Sequence, residues 1–195
     1  MTTDVLLIFI NNPHGSATLS RSLGELNAWE INEKLETAIL AATQGLLCRK
    51  IIFHPNDKAI YKLWENEKYQ AEIQVGKHLN TKIEHAFSKY IIENKEEITK
   101  AVFITADCPR LTQQIIEKAF ESLNKYDVCI GPEKKGGYYL MGMKEPMPFL
   151  FANKLWSGDH LLDDTLEELI HQGKKYFLLP ELQGVNDIYD LHLLK

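Results

Sequence analysis

Ala101-Val102-Phe103-Ile104-Thr105-Ala106-Asp107-Cys108-Pro109-Arg110 reads as a strand that runs into an acid. Val102, Phe103, Ile104 and Thr105 form a short run of apolar and β-branched side chains suited to a buried strand. The run stops at Asp107, and Pro109 forbids continuation of a sheet ladder because it has no backbone N–H. Thr112 then precedes Ile115, Ile116, Ala119, Phe120 and Leu123, the buried face of a helix for which Thr112 is the N-cap. In an open α/β sheet, ligands lie in the crevice outside the carboxyl ends of the strands. A carboxylate at Asp107 is therefore placed to reach a metal ion or a phosphate-bearing ligand, or else to accept backbone N–H groups within its own turn.

Outward from that stretch, strand and helix patterns alternate. Val5 to Ile10 is apolar on both faces, as an interior parallel strand requires. Ile31, Leu35, Ala38, Ile39, Ala42 and Leu46 recur at helical spacing and close near Gly45. Lys50 to His54 is a second strand ended by Pro55-Asn56-Asp57, and Trp64 falls in a short helical piece. Ala71 to Val75 is a weaker strand, followed by an amphipathic helix marked by Leu79, Ile83, Ala86, Phe87, Tyr90 and Ile91. Glu93 to Lys100 reads as charged and solvated. Tyr126 to Gly131 and Tyr138 to Met143 are strands separated by Pro-Glu-Lys-Lys-Gly-Gly, which suits either a hairpin or a loop that exposes backbone to a ligand. Phe149 to Leu155 is expected as a short helix, Leu161 to Ile170 as a long one closed by Gly173, Tyr176 to Leu179 as a late strand, and Ile188 to Leu194 as a terminal helix capped by Asn186 or Asp187. The pattern predicts one domain over residues 1–195, a three-layer α/β/α fold with a mostly parallel sheet.

Composition narrows the function. The 195 residues are 45% hydrophobic and 25% charged, ordinary for a globular protein, and no apolar run approaches the ~18 residues of a membrane span. A formal charge of −5 without a basic stripe argues against nucleic-acid binding. Met1 to Asp4 has no features of a signal peptide, and Cys48, Cys108 and Cys129 lack metal-binding or disulfide spacing, so a cytoplasmic location is expected. No G-x-G-x-x-G follows Val5 to Ile10, which weakens a dinucleotide-binding reading. The loop Asn11 to Leu23 has small residues and one arginine, a composition that lets backbone N–H groups approach a phosphate or serves as a plain connection; His14 is its one histidine.

Several stretches together resemble a bacterial family of GT-A-fold, Rossmann-like nucleotide-diphospho-sugar transferases, related to the molybdenum-cofactor and phospholactate nucleotidyltransferases. They are Ile8 to Leu23, Gln74 to Phe87, Ala101 to Leu111, Gly131 to Met143, Trp156-Ser157 and Val185 to Leu191, in family order. The resemblance implies nucleotide binding by Asn12, Pro13, Arg21 and Lys82, an acceptor side at Gly136, Gly137, Tyr138 and Trp156, and Mg²⁺ or Mn²⁺ held by Asp107 and Asp187. A nucleotide or nucleotide-sugar is the implied partner, and glycosyl or nucleotidyl transfer the implied reaction.

The chain departs from the family pattern where charge matters most. Of the usual cationic set in the first loop only Arg21 remains, with Asn11, Ala17 and Leu19 in the other places. The family's Leu-Gly-x-Arg-Met is Leu79-Asn80-Thr81-Lys82-Ile83, and its Asp-Gly-Gly-Tyr is Lys135-Gly136-Gly137-Tyr138. The C-terminal acidic motif is Gly184-Val185-Asn186-Asp187, so Asp187 stands one place beyond the usual acid. Each lost charge-assisted hydrogen bond to a phosphate removes about 1.5 to 3 kcal/mol. The alternative reading is therefore a catalytically inactive relative that keeps the fold as a binding or assembly module.

Overall fold

Along the first strand, successive side chains enter different cores. Val5, Leu7 and Phe9 belong to one apolar cluster, Leu6, Ile8 and Ile10 to another, and all six are buried. This period of two is what a strand covered on both faces demands. The structure is a computed structural model that describes residues 3–11, 25–55, 64, 68–93, 96–152 and 160–194.

Seven strands form the sheet: β1 (Thr3–Phe9), β2 (Arg49–His54), β3 (Gln70–Ile73), β4 (Ile98–Thr105), β5 (Val128–Pro132), β6 (Tyr138–Met143) and β7 (Tyr176–Leu178). Their order is β3-β2-β1-β4-β6-β5-β7. Every pairing is parallel except those of β6, which lies antiparallel between β4 and β5. Helices α1 (Glu25–Thr43) and α3 (Gln113–Ser122) cover the face that carries Leu6 and Ile8, through Ile39 and Ala42 and through Ile116, Ala119 and Phe120. Helices α2 (Leu79–Phe87) and α4 (Leu161–His171) cover the opposite face, through Ile83, Ala86 and Phe87 and through Leu161 and Leu169. The expected three-layer, mostly parallel architecture is thus observed.

Register places the crevice. Phe9 pairs with Phe53 on one side and Thr105 on the other, so β1, β2 and β4 end level. The chain runs from β1 outward to β2 and β3, then returns to β4 on the other side of β1. The point where the order reverses therefore lies between the carboxyl ends of β1 and β4, where such sheets take ligands. Because β6 is antiparallel to β4, with Ile104 opposite Leu140, its entry at Tyr138 and the β5–β6 turn stand at that same end.

Three expectations need correction. Strand β4 begins at Ile98 rather than after Lys100; Ile98 is buried, and its apolar side chain overrides the charge around it. Of the short helix expected over Phe149 to Leu155, the described part is a 3₁₀ turn over Pro148–Leu150 with Phe151 buried behind it, and residues 153–155 lie outside the described residues. The terminal helix is also 3₁₀, Ile188–Leu194. The helix after β3 does continue through Tyr90 and Ile91, as a π-helical turn over Ser88–Ile92 that keeps both side chains in the core.

Candidate functional site

Asp107 lies two residues beyond the end of β4, half-buried in the turn that Pro109 enforces. Ala106 N–H donates to the Phe9 carbonyl at 3.1 Å, tying this turn to the end of β1, and Leu111 N–H closes it on the Cys108 carbonyl at 3.1 Å. Thr112 caps α3, its hydroxyl accepting from Ile115 N–H at 3.4 Å. The Thr105 hydroxyl donates to Asp107 Oδ1 at 2.5 Å and fixes the carboxylate. Burial pushes the Asp107 carboxyl above the usual range, and the Thr105 hydrogen bond only partly offsets it.

Glu133, which no residue pattern singles out, lies close enough to this acid to feel its charge. Glu133 follows β5 directly and opens the turn into β6, with Glu133 N–H donating to the Gly137 carbonyl at 2.9 Å and Gly136 N–H to the Glu133 carbonyl at 3.0 Å. Gly136 adopts φ 89°, a left-handed conformation that explains glycine there. The Glu133 carboxylate accepts from Asn186 Nδ2 and from the Gly184 amide. Burial raises its pKa, and the Asp107 charge raises it further, while Asn186, Gly184 and Lys135 act in the opposite direction. The segment that supplies Asn186 is itself docked on the site: Val185 N–H donates to the Asp107 carbonyl at 2.8 Å, and Lys134 N–H to the Leu182 carbonyl at 3.0 Å. A Cβ at residue 184 would come within 2.8 Å of Glu133 Oε1, so glycine permits the close approach. Glu133, like Asp107, stands just past the end of a strand, but its neighbours Lys134, Lys135, Gly136 and Gly137 have the composition of an ordinary solvated turn.

Asp187 is differently engaged. Its Oδ2 pairs with Lys135 Nζ at 2.9 Å and its Oδ1 accepts from Tyr189 N–H at 2.8 Å; the Lys135 ammonium lowers its pKa first of all. Lys135 Nζ also pairs with Asp190 Oδ2 at 2.9 Å. Asp190 is buried and accepts in addition from Asn186 N–H at 2.9 Å, Asp187 N–H at 3.2 Å and Gln183 Nε2 at 2.9 Å. Burial alone would raise the Asp190 carboxyl; Lys135 and these donors outweigh it and bring it down to about 2.

The remaining expected residues divide by position. Lys82, on α2, reaches the ends of β1 and β2, where its Nζ donates to Gln74 Oε1 at 2.9 Å. Gly136 and Gly137 form the β5–β6 tip beside Glu133. Tyr138 is buried, with its ring centroid 6.3 Å from that of Phe103 and its hydroxyl directed at Thr165 under α4. Cys108 is buried, and burial together with the Asp107 charge pushes its thiol far up, away from nucleophilic use. Asn12, Pro13, His14, Arg21 and Trp156 lie outside the described residues.

Among the described residues no group of three or more His, Cys, Asp or Glu side chains is arranged to hold a metal ion. The donor chemistry at Asp107 and Glu133 nevertheless suits Mg²⁺ or Mn²⁺, because such ions are commonly held by one or two carboxylates together with substrate phosphates. Both acids are half-buried and raised first by burial, and the Asp107 charge raises Glu133 further, so a divalent cation between them would favour their charged forms. Asp187 fits less well, since Lys135 already neutralises it. Among the described residues no helix is long and apolar enough to cross a membrane.

Comparison with solved structures agrees with the topology. The "putative nucleotide-diphospho-sugar transferase" of Desulfovibrio desulfuricans G20 superimposes with a TM-score of 0.87 at 24% identity, covering 100% of this chain and 87% of that one. CMP:2-keto-3-deoxy-manno-octonic acid synthetase complexed with CTP gives a TM-score of 0.58 at 11% identity, with 97% and 96% covered. Rv0371C of Mycobacterium tuberculosis H37Rv in complex with manganese gives 0.58 at 10% identity, with 100% and 98% covered. At these identities the likeness establishes the nucleotide-diphospho-sugar transferase type of fold. No curated protein matches the sequence. The model of one bacterial family matches residues 37–158, more than half of the chain, and the protein belongs to that family, "Uncharacterized protein conserved in bacteria (DUF2064)".

Proposed function

We propose that the protein binds a nucleotide or nucleotide-sugar in the crevice at the carboxyl ends of β1 and β4 and transfers a glycosyl or nucleotidyl group. The observation that carries this reading is the pair Asp107 and Glu133, two half-buried carboxylates held at the carboxyl end of the sheet by partners on two separate segments, Thr105 on β4 and the Gly184–Asn186 loop. Support also comes from fold relatives, one solved with CTP and another with manganese.

Asp107 and Glu133 would hold the divalent cation, which when bound supplies positive charge to phosphate oxygens and stabilises a leaving diphosphate. Thr105 orients Asp107, and Asn186 with the Gly184 amide orients Glu133. Lys82, on the opposite side of the switch point, offers its ammonium to phosphate. Arg21 of the first loop is assigned the same role from the family pattern, and Gly136, Gly137 and Trp156 the acceptor side. Calorimetry with nucleoside triphosphates and nucleotide-sugars, with and without Mn²⁺, tests the reading. Binding that strengthens with Mn²⁺ and is abolished by Asp107→Asn supports it; no heat with any of them sinks it.

A second reading has its own observation. Lys135 and Asn186 replace acids of the family pattern, and Lys135 is consumed by Asp187 and Asp190. A protein that binds nucleotide yet shows no turnover with any acceptor, and whose binding ignores Mn²⁺, would be the inactive module instead.

A further inference from the structure

We infer that Gln74 is a positioning residue that fixes the Lys82 ammonium as the phosphate-receiving cation on the β1–β2 side of the crevice, an inference that rests on the function proposed above.

Gln74 is the first residue after β3, and its backbone N–H continues the sheet by donating to the His54 carbonyl at 2.8 Å. Its side-chain Nε2 donates to two carbonyls on two other segments, Ile10 at 2.8 Å and Phe53 at 3.0 Å. Ile10 directly follows β1, and Phe53 is the penultimate residue of β2. Both amide protons are thereby taken by acceptors that cannot donate, so the amide has one allowed orientation, with Oε1 turned away from the sheet. That oxygen accepts from Lys82 Nζ at 2.9 Å. A second device holds the other end of the link. Gly76 has φ 133°, and a Cβ there would lie 2.6 Å from Thr81 Oγ1 and 3.0 Å from Lys82 N, so only glycine lets the chain leave β3 and turn this tightly onto the first turn of α2. Thr81 closes that turn by donating to the His78 carbonyl at 2.8 Å and accepting from His78 N–H at 3.2 Å.

The partner chosen for Lys82 is informative. Lys89, Lys100, Lys118, Lys135 and Lys174 each meet a carboxylate, whereas Lys82 meets a neutral amide and has no carboxylate partner among the described residues. A carboxylate would orient the lysine and cancel its charge; an amide orients it and leaves the charge whole. A lysine side chain loses rotamer freedom when it binds, and a hydrogen bond made beforehand reduces that loss. The ammonium keeps two further protons for phosphate oxygens.

The test is titration of metal-free protein with inorganic tripolyphosphate and, separately, with nucleoside triphosphates. Lys82→Gln is expected to weaken tripolyphosphate binding about 10- to 100-fold, as loss of a charge-assisted contact implies. Lys82→Arg retains most of it. Gln74→Met is expected to weaken it about 3- to 10-fold in the wild-type background and not at all in Lys82→Gln, because Gln74 acts only through Lys82. An equal loss in both backgrounds, or none in either, overturns the inference. Should Gln74→Met fail to fold, the side-chain amide signals of Gln74 in wild-type protein decide: a shift on adding tripolyphosphate that vanishes in Lys82→Gln supports the inference, and an unchanged signal overturns it. Tripolyphosphate binding through Lys82 without nucleotide binding removes the proposed function and leaves this inference standing. Nucleotide binding indifferent to both residues does the reverse, and no binding of either ligand overturns both.

Discussion

Two groups of charged residues sit side by side at the carboxyl end of the sheet, and they are balanced in opposite ways. In the Lys135, Asp187 and Asp190 group, an ammonium lies 2.9 Å from each of two carboxylates, and both acids are held below the usual range. In the Asp107 and Glu133 pair, both acids are pushed above it, first by burial. The first group carries its own counter-charge, shared by the two acids, and ties the β5–β6 tip to the C-terminal turn. The second is short of positive charge. Proteins keep half-buried acids in that condition mainly at sites that take a ligand or a metal, so the contrast separates a structural cluster from a candidate working one.

The largest expected effect is at Asp107. Asp107→Asn should lower Mn²⁺-dependent nucleotide affinity by about 100-fold or more, since under the proposed function it removes a direct ligand. The same change should raise the melting temperature of metal-free protein at neutral pH. The sign follows from linkage: a carboxyl whose pKa is raised by folding costs stability once pH climbs above its unfolded value near 4, and the asparagine carries no such cost. The gain should therefore fade as pH falls toward about 4 and be absent below it. A variant that loses both affinity and stability would erase the distinction between the two groups.

Asp190→Ala should give the largest stability loss, about 3 kcal/mol by urea denaturation, because it strips a buried acceptor from the Asn186 and Asp187 amides as well as from Lys135. Its pH dependence has the opposite sign to that of Asp107. The Asp190 pKa is depressed to about 2, so its contribution is present above the unfolded carboxyl pKa and lost as pH falls from about 4 toward 2. Acid unfolding of the wild type, compared with Asp190→Asn, checks that window.

Gly184→Ala is intermediate. Its Cβ would press on Glu133 Oε1, the movable end of a side chain, so the fold should lose only about 1 kcal/mol. Mn²⁺ affinity, read by the electron paramagnetic resonance of free Mn²⁺, should fall about tenfold as the carboxylate is displaced. The smallest effect belongs to Lys135→Met. Lys135 is 43% exposed, so its ion pairs are screened and their loss should cost about 1 kcal/mol or less, with little change in Mn²⁺ affinity. If Mn²⁺ affinity rises sharply in this variant, Asp187 and Asp190 belong to the metal set after all.

Much of the fold could be read from residue spacing. Val5 to Ile10 and Val102 to Thr105 declared themselves as strands buried on both faces, Thr112 and Gly173 marked helix ends, and the spacing of Leu161, Thr165 and Leu169 marked a buried face that leaves Ile170 exposed. These signals are local: a strand has period two, a helix 3.6, and a cap acts within one turn. Ile98 shows the limit, since charge around it hid a strand start that only contact with the core explains. At the site, Asp107 was legible because Pro109 marks the strand end beside it. Glu133 was not, because Pro-Glu-Lys-Lys-Gly-Gly has the composition of any solvated turn. Gln74 was equally hidden, an amide whose three partners are Ile10 just past β1, Phe53 on β2 and Lys82 on α2.

The amino-acid sequence by itself determined the alternation of strands and helices, the acid at the end of β4 and the glycines that shape the β5–β6 turn. Tertiary structure alone decided which acids share a site. The antiparallel placement of β6 between β4 and β5 carries Glu133 to the Asp107 end of the sheet, and the Val185 N–H bond to the Asp107 carbonyl brings Asn186 after it. The physical reason is the range of the forces involved. Backbone geometry and hydrophobic period act between neighbours in the chain, whereas the desolvation and charge that set Asp107 and Glu133 apart from Asp187 and Asp190 depend on residues dozens of positions away, brought together only when the sheet is complete.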